Sequence, residues 1–242
     1  MSAVLEVRHL FYIYPDGTHA LNDVSFQLGE GERLAVIGPN GAGKSTLFFH
    51  LNGTIRSDGQ IVVLGERLLG STINSIRKKV GLVFQDPNDQ LFMPTVFEDV
   101  AFGPANLGCS ETEVRERVQK ALLQVGLEGS EALTPHHLSV GQRKKVALAA
   151  VLAMQPQILA FDEPSSGLDP RSRRQLIEFL KNLPQPQLIA THDLDLVLDV
   201  CHRVILLDGG QIVGEGKVPD IFNDEKLLAN HGLEKPLRMQ SR

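Results

Sequence analysis

Three groups of residues in this chain have the types and spacing to do chemistry. The first is Gly38-Pro39-Asn40-Gly41-Ala42-Gly43-Lys44-Ser45-Thr46, which follows the pattern G-x-x-x-x-G-K-[ST] with a third glycine at Gly41. Glycines there let successive backbone N–H groups converge on one concavity and approach phosphate oxygens closely. Lys44 adds a mobile positive charge for the β- and γ-phosphates, and the Ser45 hydroxyl is a ligand type for Mg²⁺. The second group is Asp162-Glu163 at the end of the apolar run Ile158-Leu159-Ala160-Phe161. Asp162 is the expected Mg²⁺ carboxylate. Glu163, one residue on, is expected to point elsewhere and to act as general base on an attacking water.

The third group is Leu138-Ser139-Val140-Gly141-Gln142, followed by Arg143-Lys144-Lys145. Ser139 and Gln142 have the spacing of a capping box that opens a helix. Three cations in a first helical turn oppose the macrodipole. That charge predicts a helix end built to receive an anion, with Ser139 Oγ and the Gly141 N–H as donors.

The elements that must position these groups read as α/β. Arg33–Ile37 is a short apolar strand running into the glycine loop, and a helix follows from Lys44 to about Asn52. Alternation predicts strands through Leu5 and Val7 and through Leu21–Leu28, with a turn at Pro15-Asp16-Gly17. Further strands are expected at 60–64, 80–84, 158–161, 188–191, 204–207 and 211–213. Helices are expected at 95–107, 111–125, 139–154, 171–183 and 194–200. The middle of the chain is therefore a mostly helical insertion in an α/β core. The expected division is one domain over 1–242: core and β subdomain at 1–85 and 156–215, a helical part at 86–155, and a short helical tail at 216–242.

Composition narrows the function classes. With 42% hydrophobic and 22% charged residues, the 242-residue chain is that of a folded protein and not a disordered one. Lys plus Arg (24) against Asp plus Glu (29) gives a net charge of −5, which argues against nucleic acid as a partner. Cys109 and Cys201 are far apart and form no metal or disulfide pattern. His136-His137 look like a metal pair but precede Ser139 in a loop, and a metal role there is the minor reading. The longest apolar run, 146–154, is about half of the ~20 residues a spanning helix needs. The chain is expected to stay in the cytosol, with docking on a membrane protein left open.

Taken together, these motifs resemble those of ATP-binding-cassette (ABC) ATPase subunits over nearly all of residues 3–235. The resemblance implies the P-loop NTPase fold of ABC ATPases, with an N-terminal antiparallel β subdomain and a helical insertion. It also implies ATP and Mg²⁺ as ligands. By the same resemblance Gly38–Thr46 binds ATP, Tyr14 stacks on adenine (with Tyr12 as the rival), and Ser45, Gln85 and Asp162 hold Mg²⁺. Glu163, His192 and Gln85 are then the catalytic set. Ser139, Gly141 and Gln142 form the signature that contacts ATP from a second subunit, and Asp169 belongs to the D-loop. Val140 stands where the signature has glycine most often. The implied assembly is a head-to-tail pair of ATPases, expected as a homodimer.

The stretch Phe84-Gln85-Asp86-Pro87-Asn88-Asp89-Gln90-Leu91-Phe92, with Thr95–Pro104 after it, is similar to the ATPases of energy-coupling-factor importers, above all those for cobalt and nickel. Partners implied are a membrane-embedded coupling component and a substrate-capture component, which would place the chain peripherally on the cytoplasmic face of the cell membrane. Asp86, Asp89 and Glu98 around Leu91 and Phe92 are expected to form an apolar groove with an acidic rim, suited to a short helix carrying Arg or Lys. The alternative is that these apolar residues are only core. Two other functions stay open: import of a vitamin or another solute, and a non-transport cassette ATPase acting on DNA.

Overall fold

A computed structural model describes residues 3–56 and 58–240 of the chain; the extreme ends of the expected 1–85 and 216–242 ranges, and residue 57, lie outside the described residues. The elements run β1 (Ala3–Ile13), β2 (His19–Gly29), β3 (Arg33–Ile37), α1 (Lys44–Leu51), β4 (Gln60–Val63), β5 (Glu66–Arg67), α2 (Ile73–Lys79) and β6 (Val80–Val83). Three helices follow: α3 (Val96–Asn106), α4 (Glu111–Val125) and α5 (Val140–Ala153). The α/β pattern then returns as β7 (Ile158–Asp162), α6 (Pro170–Asn182), β8 (Gln187–Ala190), α7 (Leu194–Val200), β9 (Arg203–Asp208), β10 (Gln211–Lys217), α8 (Val218–Asn223) and α9 (Glu225–Asn230).

Two sheets form. One is antiparallel, in the order β2-β1-β4-β5; the other has the order β10-β9-β3-β8-β7-β6. In the second, β9, β3, β8, β7 and β6 are parallel and β10 pairs antiparallel with β9. The central strands are buried on both faces, which is why they read as unbroken apolar runs. Alternate side chains serve different cores. Leu159 and Phe161 face the helices, whereas Ile158 and Ala160 join Leu34, Val36 and α1 beneath the antiparallel sheet.

The helical insertion leaves the parallel sheet after β6 and returns at β7. Its three helices pack on one another through one apolar cluster. Local signals set their ends. Thr95 and Glu98 form a capping box on α3, Ser139 and Gln142 form one on α5, and Gly126 closes α4 in the left-handed conformation.

The expected elements are present; most ends lie within a few residues of those read from the sequence, while β1 runs on past Val7 to Ile13 and β10 past Val213 to Lys217. The helix α2 and the strand β5 were not anticipated. Among the residues of α2 only Ile76 is buried, so it carries almost no apolar periodicity.

Candidate functional site

The glycine loop connects β3 to α1 in the order expected. Gly38, Gly41 and Gly43 all have positive φ, at 152°, 80° and 101°. A Cβ on Gly38 would lie 1.9 Å from the Leu207 carbonyl oxygen, and one on Gly43 would lie 2.3 Å from that of Ala20. Backbone from β9 and β2 thus fixes the loop, and only glycine fits at either point. Helix α1 has no side-chain cap, so its first N–H groups are left for a ligand. Lys44 is buried, with Nζ donating to the carbonyls of Gly38 (2.7 Å) and Pro39 (2.9 Å). Burial pulls its pKa down, against the opposing charges of Glu163 and Asp162.

A cavity of about 430 Å³ opens above this loop. It is lined by Tyr14, Thr18, Ala20, residues 40–46, Gln85, Asp162, Glu163 and His192. The fold thus brings together residues from widely separated parts of the chain at the C-terminal ends of parallel strands, where open α/β sheets place ligands. Gly38 and Pro39 stand behind the wall, as acceptors for Lys44. The Tyr14 hydroxyl meets Thr46 Oγ1 at 3.0 Å, and the Tyr12 ring packs edge-on against Tyr14 and His50. Tyr12 packs against the core and does not line the cavity, so Tyr14 is the aromatic available there.

The two carboxylates do not separate as the sequence suggested. Strand β7 ends at Asp162, and Glu163 has φ 45°, so alternation stops and both side chains line the same cavity. Burial pushes the Asp162 carboxyl up, reinforced by Glu163, against the pull of Ser45, Lys44 and Lys144. Asp162 accepts a hydrogen bond from Ser45, yet its Oδ1 is buried with no partner among the described residues. An orphaned carboxylate oxygen beside a hydroxyl fits a hard divalent cation such as Mg²⁺. Glu163 is held at one oxygen. Oε2 meets Thr191 Oγ1 (3.1 Å), the His192 backbone N–H (3.3 Å) and His192 Nδ1 (2.9 Å). Thr191 was missed in the sequence; its place beside His192 at a strand end was the available signal. Asp193, next in line, pairs with Arg173 through two hydrogen bonds of 2.6 and 2.7 Å and accepts a third from Ser165.

Ser139, Gly141 and Gln142 do not line this cavity. Ser139 Oγ accepts from the Gln142 N–H, and the Gln142 side chain accepts from the Ser139 N–H. Asp169 caps α6 by accepting from the N–H groups of Arg171 and Ser172. The three cations after Gln142 are not arranged as a common anion site. Arg143 donates to the Leu138 carbonyl, and Lys144 to the carbonyls of Glu163 and Pro164. Two of the three are thus spent on internal carbonyls.

The expected docking groove is also redrawn. Leu91 is buried at 5% exposure and belongs to the core of the helical insertion. Glu98 closes the capping box on Thr95. Pro87–Asp89 is a short 3-10 turn capped by Asp86. The exposed apolar surface is Phe92 with Phe102, rings edge-to-face at 5.0 Å. Asp99 holds Phe92 and Met93 in place by accepting from both backbone N–H groups at 3.0 Å. Asp86, Asp89 and Gln85 instead line a polar cavity of about 330 Å³ with Arg143, Lys144 and Ser166. Gln85 borders both cavities.

A family model described as ABC transporter matches residues 21–166. The energy-coupling factor transporter ATP-binding protein EcfA of Methanothermobacter thermautotrophicus is 48% identical over 239 residues, covering 96% of this chain and 77% of that protein. The structure of cbiO1 from Clostridium perfringens, part of the ABC transporter complex cbiONQ, superposes with a TM-score of 0.82 at 38% identity, over 95% of this chain and 94% of that one. A dimeric ATP-binding cassette bound to ADP and Pi in a post-hydrolysis state gives a TM-score of 0.80 at 28% identity, over 88% and 98%.

Proposed function

The chain belongs to the ABC transporter family as an ATP-hydrolysing, ATP-binding subunit of the energy-coupling-factor type, and from that premise we propose that it powers import of a transition-metal ion, cobalt or nickel. The observation that carries the ATPase part is the convergence of Lys44, Ser45, Gln85, Asp162, Glu163 and His192 on one cavity. The cargo rests on the similarity of residues 84–104 to cobalt and nickel importer ATPases, a stretch that carries the exposed Phe92 and Phe102 and the acidic Asp86 and Asp89.

In this reading the α1 N-terminus and residues 40–46 hold the phosphates of ATP, and Lys44 exchanges its two carbonyl partners for phosphate oxygens. Tyr14 stacks on adenine. Ser45, Asp162 and Gln85 would hold Mg²⁺, which would draw charge from the phosphate oxygens. Glu163 takes the proton of the attacking water. Its Oε2 is fixed by Thr191 and His192, which leaves Oε1 to face the water.

Ser139, Gly141 and Gln142 serve the cavity of a second ATPase in a head-to-tail pair. A homodimer is the simplest pair, since the chain carries both halves of such a site. The surface of Asp86, Asp89 and Phe92 takes a basic segment of a membrane-embedded coupling component, which contacts a substrate-capture component, so the chain works peripherally on the cytoplasmic face of the membrane. No helix among the described residues is long and apolar enough to cross a membrane. The division into core, helical part at 86–155 and tail from 216 is part of the same proposal.

The test is co-purification of the chain with its membrane partners and measurement of ATP-driven uptake. Uptake of Co²⁺ or Ni²⁺ supports the reading; ATP-driven uptake of a vitamin without metal uptake replaces the cargo and keeps the transporter.

A further inference from the structure

Lys144 stands between the catalytic carboxylate and the surface assigned to docking. It is the fifth residue of α5 and lies at the start of the helix's second turn. Its ammonium reaches across to the core and donates to the carbonyls of Glu163 and Pro164, each at 3.2 Å. It is the one helical-insertion side chain hydrogen-bonded to that turn among the described residues. The same side chain walls the polar cavity of Gln85, Asp86 and Asp89.

The turn it holds needs holding. Glu163 is a non-glycine residue at φ 45°, a conformation that persists only where its surroundings enforce it. Its carbonyl accepts from the Ser166 N–H at 3.2 Å and from Lys144, while its carboxylate is gripped from the other side by Thr191 and His192. Burial lowers the Lys144 pKa, and the charges of Glu163, Asp86 and Asp162 oppose that shift.

We propose that Lys144 is a positioning residue for hydrolysis: by holding the Glu163–Pro164 carbonyls from α5 it sets the Glu163 carboxylate, and through the cavity it shares with Asp86 and Asp89 it passes the arrival of a basic partner segment to that carboxylate. A partner cation that pairs with Asp86 removes one of the carboxylate charges acting on Lys144, and the hold on the Glu163 turn tightens. This rests on the reading of Glu163 as the base.

The experiment measures kcat and KM for ATP in the purified full chain, alone and with its co-purified membrane partners. Lys144→Met keeps the length and apolar bulk of the stem and removes the donors. It is expected to lower kcat by roughly 10- to 100-fold, the scale of a misplaced catalytic group, with KM changed less than about threefold. Stimulation by the partners is expected to vanish. Lys144→Arg restores the donors and the charge, and is expected to recover at least a third of the parental kcat. Parental kcat and stimulation in Lys144→Met overturn the proposal. So do equal losses in both variants, or a KM that rises with the loss of kcat, either of which marks a merely structural lysine. Glu163→Gln in the same assay separates the two readings. If it turns over at the parental rate, the base assignment falls and this proposal with it; if it is slow while Lys144→Met is fast, only the proposal falls.

Discussion

Replacing Glu163 with Gln isolates the chemical step from the fold. Glu163 is 8% exposed at its side chain, and its Oε2 receives three contacts: Thr191 Oγ1, the His192 N–H and His192 Nδ1. A glutamine oxygen in the same place accepts from the Thr191 hydroxyl and the His192 N–H, so most of the anchoring survives. Exchanging a charged for a neutral acceptor costs about 1 kcal/mol. In a domain of this size that is a Tm loss of about 2–4 °C. What disappears is the base. General-base catalysis contributes about 10²–10⁴ in rate, which is about 3–5 kcal/mol of barrier. ATP affinity is expected to stay within about threefold, because residues 40–46, proposed to hold the phosphates, are untouched. The assay is phosphate release by the purified chain, beside binding of a fluorescent ATP analogue and size-exclusion chromatography with ATP. The expected outcome is slow turnover, intact binding and an ATP-dependent dimer that no longer decays. Turnover within about threefold of the parent would refute the base assignment. Loss of binding in parallel with turnover would show that Glu163 shapes the site and does no proton transfer.

Lys44→Ala removes a buried cation from the loop and is expected to weaken ATP binding roughly 10- to 100-fold, the worth of a charged hydrogen bond, in titration calorimetry; unchanged affinity would remove Lys44 from the phosphate site. Asp89→Lys is expected to leave ATP binding of the isolated chain unchanged and to abolish capture of the membrane partner in a pull-down, because like charges then meet. It is a cleaner test than Glu98→Lys, which also breaks the α3 capping box. Arg173→Met leaves the Asp193 carboxylate, 18% exposed, without its bidentate partner and is expected to destabilise the fold by about 1–3 kcal/mol at pH 7, read by circular dichroism melting. Burial works against ionisation of Asp193, but Arg173, the Leu196 N–H and Ser165 outweigh it, so its pKa lies below the ordinary 3.8. A lowered carboxylate pKa contributes stability above the unfolded value and loses it as pH falls through the folded one. The gap between parent and variant should therefore be full above about pH 4 and shrink below it; a gap independent of pH would mean the pair contributes nothing through its charge.

The parts of the fold that repeat a local rule were legible before any coordinates. Arg33–Ile37 and Ile158–Phe161 are apolar at every position or nearly so because both of their faces are covered, and the Ser139–Gln142 spacing announced its capping box. The glycine loop under the nucleotide cavity was legible for a related reason: Gly38 and Gly43 admit no side chain, so the need for glycine is written in the chain itself. What sequence spacing misjudged depends on contacts between distant elements. A positive φ at Glu163 overrides the alternation that would have turned it away from Asp162. Arg143 and Lys144 looked like cations awaiting an anion because the carbonyls they meet belong to Leu138 in a preceding loop and to the turn after β7. Leu91 and Phe92 are adjacent and similar in character, yet one is 5% and the other 62% exposed. Only the docking of α3 against its neighbours, pinned by Asp99, decides which one faces out.

The central claim joins hydrolysis at Glu163 to metal import. Its most direct test is uptake of radioactive Co²⁺ and Ni²⁺ into proteoliposomes that carry the chain with its co-purified membrane partners, the ATPase facing the lumen and ATP trapped inside at a concentration that saturates both parent and Glu163→Gln. The parent is expected to accumulate at least one of the two ions with ATP and not without it, and Glu163→Gln to bind ATP and accumulate neither. Equal accumulation by parent and variant, or ATP hydrolysis by the parent complex with neither ion taken up, would contradict it.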